Sequence, residues 1–239
     1  MITRDRWIEL IKDFQEKDLP PLIPRDLNVP LHVPIKRAVV IMGPRRAGKT
    51  YFLYQLIAEL LHQIPKEQLL YVNLEKPGFN VFTSEDLQLM LQAFFELYPA
   101  NRHKQIYLFL DEIQVVSNWE AFVRVCLDEG IQVYLSGSSS KMLSREIATI
   151  MRGRTLSYHI FPFSFKEFLR ANNIRVPKYF STAEKSAITH WFNDYFRFGG
   201  YPETILFPAE REKILSEILE VTIYKDVIER AKIRNVKAM

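Results

Sequence analysis

The stretch Gly43-Pro-Arg-Arg-Ala-Gly48-Lys49-Thr50 sits between an unbroken apolar run, Arg37-Ala-Val-Val-Ile-Met42, and a segment that reads as a helix, Thr50 to Leu61. No other feature narrows the fold as much. It fits the pattern G-x-x-x-x-G-K-[ST], a strand followed by a glycine-framed loop and a helix. The apolar run has the character of a parallel strand buried on both faces. Gly43 and Gly48 allow backbone angles that a Cβ would forbid, so successive N–H groups converge on phosphate oxygens. Pro44, Arg45, Arg46 and Ala47 fill the loop, and Tyr51 follows it into the helix. The helix N-terminus aims unpaired N–H groups and the positive dipole end at an anion. Lys49 supplies a point charge for terminal phosphates, and the Thr50 hydroxyl is a Mg²⁺ ligand.

A second pattern supports the first. Gln105-Ile-Tyr-Leu-Phe-Leu-Asp111-Glu112 is an apolar strand ending in two acids. Acids at the end of a buried strand lie where a doubly wound sheet presents ligand-binding groups. Asp111 is the candidate to hold Mg²⁺ through its water shell. Glu112 is the candidate general base that polarises water.

Further strands are expected at Gln68–Leu74, Ile131–Leu135 and Thr155–Ile160, with helices between them. Such alternation predicts an α/β fold with a five-stranded parallel sheet covered on both faces. Thr83-Ser84-Glu85-Asp86 caps one helix, whose apolar stripe is Leu87, Met90, Leu91, Phe94 and Tyr98. Ser117-Asn-Trp-Glu120 reads as a capping box for another. Residues 1–35 are an amphipathic helix and a Pro-rich arm, which is extended and is expected to wrap the core and to pass near a nucleotide base. Residues 36–161 form the α/β core. Residues 162–239 turn purely helical and are expected to form a helical lid. There Ser164/Glu167 and Ser181/Glu184 are capping boxes, and Phe163 with Phe168 is a hydrophobic staple. Ile188, Trp191, Phe192, Tyr195 and Phe196 are the expected inward stripe of one helix; a last helix runs from about Ala209 toward Ile228. The aromatics here read as core.

The chain carries 17 Phe and 11 Tyr among its 239 residues, enough for a sizeable core. Its net charge of +4 is compatible with a nucleic-acid partner, but no contact motif accompanies it. Cys126 is the single cysteine, so an intrachain disulfide is excluded; it reads as a small core residue. The five histidines show no metal-ligand spacing. No run approaches a membrane span and the start lacks a signal-like stretch, so a cytoplasmic protein is expected.

GPRRAGKT at 43–50, LFLDEIQ at 108–114, LSGSSS at 135–140, RGR at 152–154, PFSFKEFL at 162–169, FGGYPE at 198–203 and YKDVIERAKIRN at 224–235 together resemble an archaeal and bacterial family of P-loop ATPases. That family is AAA+-like and belongs to the ASCE division. The resemblance covers nearly the whole chain. It implies a P-loop NTPase core with a helical lid, ATP or ADP as ligand with Mg²⁺, and ATP hydrolysis that drives a change in the lid or a partner. Members usually continue into a further C-terminal domain, so the chain is expected to be a fragment ending before one.

By the same resemblance, Asn73 at the end of the second strand is a residue that can restrain the catalytic glutamate. An Asx turn is the equal alternative. Ser138, with Ser139, stands where related ATPases place a γ-phosphate sensor; helix capping is compatible with that. Arg45 and Arg46 are expected to neutralise phosphate or reach a neighbouring subunit. Arg152 and Arg154 are candidates for an arginine finger or a lid sensor, acting on the chain's own site or on a neighbour's through self-association or a partner protein. Surface ion pairs are the alternative for them. The competing functional readings are a Mg²⁺-dependent ATPase, a slow nucleotide switch or scaffold, and an ATPase that powers a nucleic-acid-binding protein.

Overall fold

The computed structural model describes residues 2–75, 82–138, 147 and 149–222. Along them run α1 (Arg4–Glu16), β1 (Ala38–Gly43), α2 (Lys49–Leu61), β2 (Leu69–Asn73), β3 (Phe82–Thr83), α3 (Ser84–Leu97) and β4 (Tyr107–Asp111). There follow β5 (Val116–Ser117), α4 (Trp119–Asp128), β6 (Gln132–Ser138), β7 (Thr155–His159), α5 (Phe165–Ala171), α6 (Thr182–Phe198), α7 (Pro202–Leu206) and α8 (Arg211–Val221).

Five strands form one parallel sheet in the order β2-β4-β6-β1-β7, as the strand and helix alternation predicts. Its register sets the chemistry, because Asn73 pairs with Asp111 at the C-terminal ends of β2 and β4. Alternate strand residues divide between two faces. Val40, Met42, Leu70, Val72, Leu108, Leu110, Val133 and Leu135 join Trp7 and Ile11 of α1 and the inner residues of α3 and α4 in one buried cluster. Phe52, Leu53, Leu56, Ile57 and Leu60 of α2 are buried outside that cluster. Because α2 contacts β4 and β6, it covers the opposite face. There Phe109 and Tyr134 stack with ring centroids 4.5 Å apart.

Contacts divide the chain into two units, which cut across the expected 1–35, 36–161 and 162–239 segments. The first comprises residues 1–22, 28–42 and 49–159; the second comprises 23–27, 43–48 and 160–239. The second unit has its own core, Phe163, Phe168, Leu169 and Ile205, with Ile188, Trp191 and Tyr195 of α6 packed against it. Its helices start as expected. Ser164 Oγ accepts from the Glu167 N–H at 3.3 Å while Glu167 accepts from the Ser164 N–H at 2.8 Å. Ser181 and Glu184 repeat the arrangement at 3.2 and 2.7 Å.

Four expectations are corrected. The 117–120 capping box does not form: Ser117 pairs with Thr83 in a two-stranded ladder, and the residue before α4 is Asn118, left-handed at φ 55° with no side-chain cap. Strand pairing fixes the backbone before the hydroxyl can reach the helix. Strand β6 runs past Leu135 through Ser138, with all seven residues buried. The α6 stripe is narrower than expected, since Phe192 and Phe196 are 47% and 83% exposed. They stand one position around the helix from Trp191 and Tyr195, beyond the second unit's core. The last helix starts at Arg211, after a 3-10 turn at Pro208–Glu210. Its expected continuation to Ile228 and the 224–235 motif lie outside the described residues.

Cys126 is fully buried, and burial pushes its thiol up to about 12, which leaves it unreactive. Among the described residues no helix is long and apolar enough to cross a membrane.

Candidate nucleotide site

In the first unit, chemistry concentrates on Asp111. The residue is fully buried at the C-terminal end of β4. A buried carboxylate needs compensation, and Asp111 has four donors. Thr50 Oγ1 donates to its Oδ2 at 2.7 Å, Tyr71 Oη at 3.0 Å and Asn73 Nδ2 at 3.2 Å. Ser136 Oγ donates to Oδ1. Burial pushes the Asp111 carboxyl up; the hydroxyls of Ser136, Thr50 and Tyr71 oppose that, and the neighbouring Glu112 charge adds to it. Thr50 and Asp111, 61 positions apart in sequence, thus meet through a direct hydrogen bond. Among the described residues no group of three or more His, Cys, Asp or Glu could hold a metal alone.

Glu112 leaves the strand with left-handed backbone at φ 57°. Its N–H donates to Ser136 Oγ at 3.0 Å. The side chain is 14% exposed and engaged at both oxygens: Lys49 Nζ stands 3.5 Å from Oε1, and Gln114 Nε2 donates to Oε2 at 2.5 Å. The Lys49 ammonium is itself buried. Lys49 opens α2, so its ammonium and the Glu112 carboxylate meet at the C-terminal end of the sheet.

Asn73 forms the Asx turn, accepting from the Glu75 N–H at 3.0 Å. Its amide is bonded to Asp111, whereas the amide on Glu112 comes from Gln114. The expected restraint of Glu112 by Asn73 is therefore corrected: the Asn73–Asp111 register match turns that amide onto the other acid. Ser138 is buried at the last position of β6. Ser139 lies outside the described residues. Tyr51 is 55% exposed and meets Tyr54 edge-on.

Arg152 and Arg154 stand at the wrong end of the sheet for their own site. The Ala38 N–H donates to the Arg154 carbonyl, and the β1–β7 register runs from Ala38↔Thr155 to Met42↔His159. The ligand-facing end is four residues farther, about 13 Å. Arg154 pairs with Asp128 at 2.8 Å, the surface ion pair set against the finger reading, and Arg152 is exposed with φ 51°.

In the second unit, Gly48 has φ 92°, which glycine tolerates. Gly43 serves differently from the expected angle: a Cβ there would meet the Ile160 carbonyl oxygen at 2.1 Å, so it is a close-approach glycine. Ala47 is buried, and its N–H donates to the Pro44 carbonyl at 3.3 Å. Arg46, at φ 60°, pairs with Glu203 of the 198–203 motif. Arg45 Nε is buried without a hydrogen-bond partner among the described residues.

Glu167 is buried beside Arg25, 3.0 Å away. Burial works to raise its pKa, but the N–H groups of Asp26 and Ser164 and the Arg25 guanidinium outweigh that and hold it below its ordinary value. A depressed carboxyl stabilises the fold above its unfolded pKa and loses that contribution as pH falls through the folded value. Stability of the wild type is expected to drop below about pH 4.3, the ordinary glutamate value. Glu167→Gln is expected to be less stable at pH 7 and to show a shallower acid drop, read by urea melts at several pH values.

Sequence reasoning passed over Ser136, Tyr71, Gln114 and Arg25. Three of them carried a signal: Gln114 closes LFLDEIQ and Ser136 lies in LSGSSS, while Tyr71 stands on the second strand. Tyr71 lies two residues before Asn73, on the same strand face. Ser136 follows Leu135, the register partner of Leu110, and so falls beside Asp111.

Residues 35–169 match the AAA domain family. Uncharacterized proteins of Methanocaldococcus jannaschii and Haemophilus influenzae are similar to the chain: 41% identical over 90% of it, and 30% over 98%. The chain spans about half of these curated relatives, 47% and 52% of their lengths. Among solved structures, AMPPCP-bound DnaA from Aquifex aeolicus matches 94% of this chain and 64% of its own at 14% identity and a TM-score of 0.43. A DNA replication initiation factor matches 90% of this chain and 68% of its own at 15% identity and a TM-score of 0.37. With its family match covering more than half of its length, the chain belongs to the AAA family of P-loop ATPase domains.

Proposed function

We propose that this chain binds Mg·ATP and hydrolyses it to ADP and phosphate. The observation that carries the reading is the meeting of Thr50 with Asp111 and of Lys49 with Glu112, at 2.7 and 3.5 Å. In this reading, the Gly43–Gly48 backbone and Lys49 hold the phosphates. Thr50 and, through water, Asp111 hold the Mg²⁺, which neutralises charge developing on the phosphoryl oxygens. Glu112 accepts the proton of the attacking water, and Ser138 senses the terminal phosphate.

Lys49→Ala removes the ammonium opposite the phosphates. Valued as one charge-assisted hydrogen bond, the loss is about 1.5–3 kcal/mol in binding. Calorimetric titration of both proteins with Mg·ATP checks it, and equal affinities would overturn the reading. The reading includes a rearrangement of the C-terminal helices on binding. Hydrogen exchange over α6 to α8 is expected to change when Mg·ATP is added; unchanged profiles would remove that part.

A slow nucleotide switch is the second reading. One observation favours it: both Glu112 oxygens are engaged, by Lys49 and Gln114. Steady-state turnover separates the two.

A further inference from the structure

Within the second unit, three segments distant in sequence converge on one side chain, Arg25 of the Pro-rich arm. Its side chain is 7% exposed. Nε donates to Glu167 Oε1 at 3.0 Å, Nη1 to the Ala47 carbonyl at 3.0 Å and Nη2 to the Phe161 carbonyl at 2.5 Å. The plane lies over the Phe163 ring at 4.7 Å. Glu167 is held in turn by the N–H groups of Asp26 and Ser164, both at 2.8 Å. Arg170 extends the attachment, donating to Asp26 at 2.7 Å.

We propose that Arg25 is a positioning residue for the phosphate loop, so that the Pro-rich arm is a working part of the nucleotide site. The inference rests on the nucleotide-binding reading above. Ala47 and Gly48 are the last loop residues before Lys49. Gripping the Ala47 carbonyl fixes the plane of the Ala47–Gly48 peptide, whose N–H must point at phosphate for the loop to cradle an anion. The clearance agrees: Arg25 Nη1 would lie 3.5 Å from a Cβ placed on Gly48. A planar guanidinium has fixed donors and can hold a carboxylate and two carbonyls at once. An ammonium lacks that fork. Aromatic stacking and burial stop the fork from turning. Arg25 thus ties loop 43–48 to the start of the PFSFKEFL segment, and a loop so preordered binds without the entropy cost of ordering it.

The test compares wild type, Arg25→Ala and Arg25→Lys. Binding of Mg·ATP and of ADP is measured by calorimetry, with steady-state kinetics and thermal melts alongside. Arg25→Ala is expected to raise Kd for both nucleotides by about tenfold or more, the range of a hydrogen bond to a charged group. KM should rise with kcat near wild type, because the chemical groups on Asp111 and Glu112 are untouched. A purely structural role predicts the reverse, a lower kcat from a smaller folded fraction with KM unchanged. Arg25→Lys keeps the charge beside Glu167 and loses the fork. It is expected to weaken binding by several-fold, and it decides the matter should Arg25→Ala fail to fold. Wild-type Kd and KM in Arg25→Lys, or the kcat-only pattern in Arg25→Ala, would overturn the proposal. A wild type that binds no nucleotide would instead sink the reading beneath it.

Discussion

Glu112→Gln is expected to keep Mg·ATP binding and to lower turnover by about 10²–10⁴-fold, the usual cost of losing a general base. Glutamine preserves the size of the side chain and has no basic oxygen to take a proton. The geometry adds a point about affinity. Lys49 is 3.5 Å from the Glu112 carboxylate, so substrate phosphates must compete for its charge. Removing the carboxylate frees the ammonium, and affinity should hold or tighten. Stopped turnover with retained affinity is the expected pair of results, read by phosphate release and calorimetry. Wild-type turnover would show that Glu112 is not the base. Parallel loss of binding and turnover would show that the substitution damaged the fold.

The second large effect is expected at Gly43. A Cβ there would lie 2.1 Å from the Ile160 carbonyl oxygen and 2.9 Å from Ile160 Cγ2. The nearest obstacle is backbone, so no rotamer change relieves it, and the loop start must move. Overpacking of this kind costs about 1–3 kcal/mol or more. For a chain of this size that is a fall in melting temperature of roughly 2–12 °C. Loop displacement should also weaken nucleotide binding at least as much as Lys49→Ala does. Gly130→Ala is the comparison, with φ 84° and nothing within 4 Å of its added Cβ. It carries backbone strain alone and lies away from the loop, so it should lower stability by about 1 kcal/mol and leave binding unchanged. Equal behaviour of the two variants would contradict the close-approach account.

What the amino-acid order determined by itself is local. Apolar runs of strand length between helical rhythms specify a parallel sheet, because only strands buried on both faces lack an alternating pattern. Glycine spacing, Lys49 and Thr50 mark the phosphate loop because its chemistry is carried by consecutive residues. Capping boxes at Ser164 and Ser181 were legible for the same reason: donor and acceptor lie three positions apart. Where a local pattern competed with a long-range partner, the partner prevailed. Ser117 could cap α4, yet it pairs with Thr83.

The tertiary structure decided everything that depends on register and on segments meeting. Sheet order sets Asn73 beside Asp111, so its amide binds that acid and leaves Glu112 to Gln114. The β1–β7 register carries Arg152 and Arg154 to the sheet end away from Asp111, although sequence distance alone allowed them a place at the site. Arg25 had no mark in the sequence beyond being a charge in a Pro-rich arm. Its role depends on contacts with Ala47, Phe161 and Glu167, which lie 22 to 142 positions away. A linear pattern records which chemical groups a chain owns; which of them meet is set by packing, because side-chain partners are chosen by distance in space.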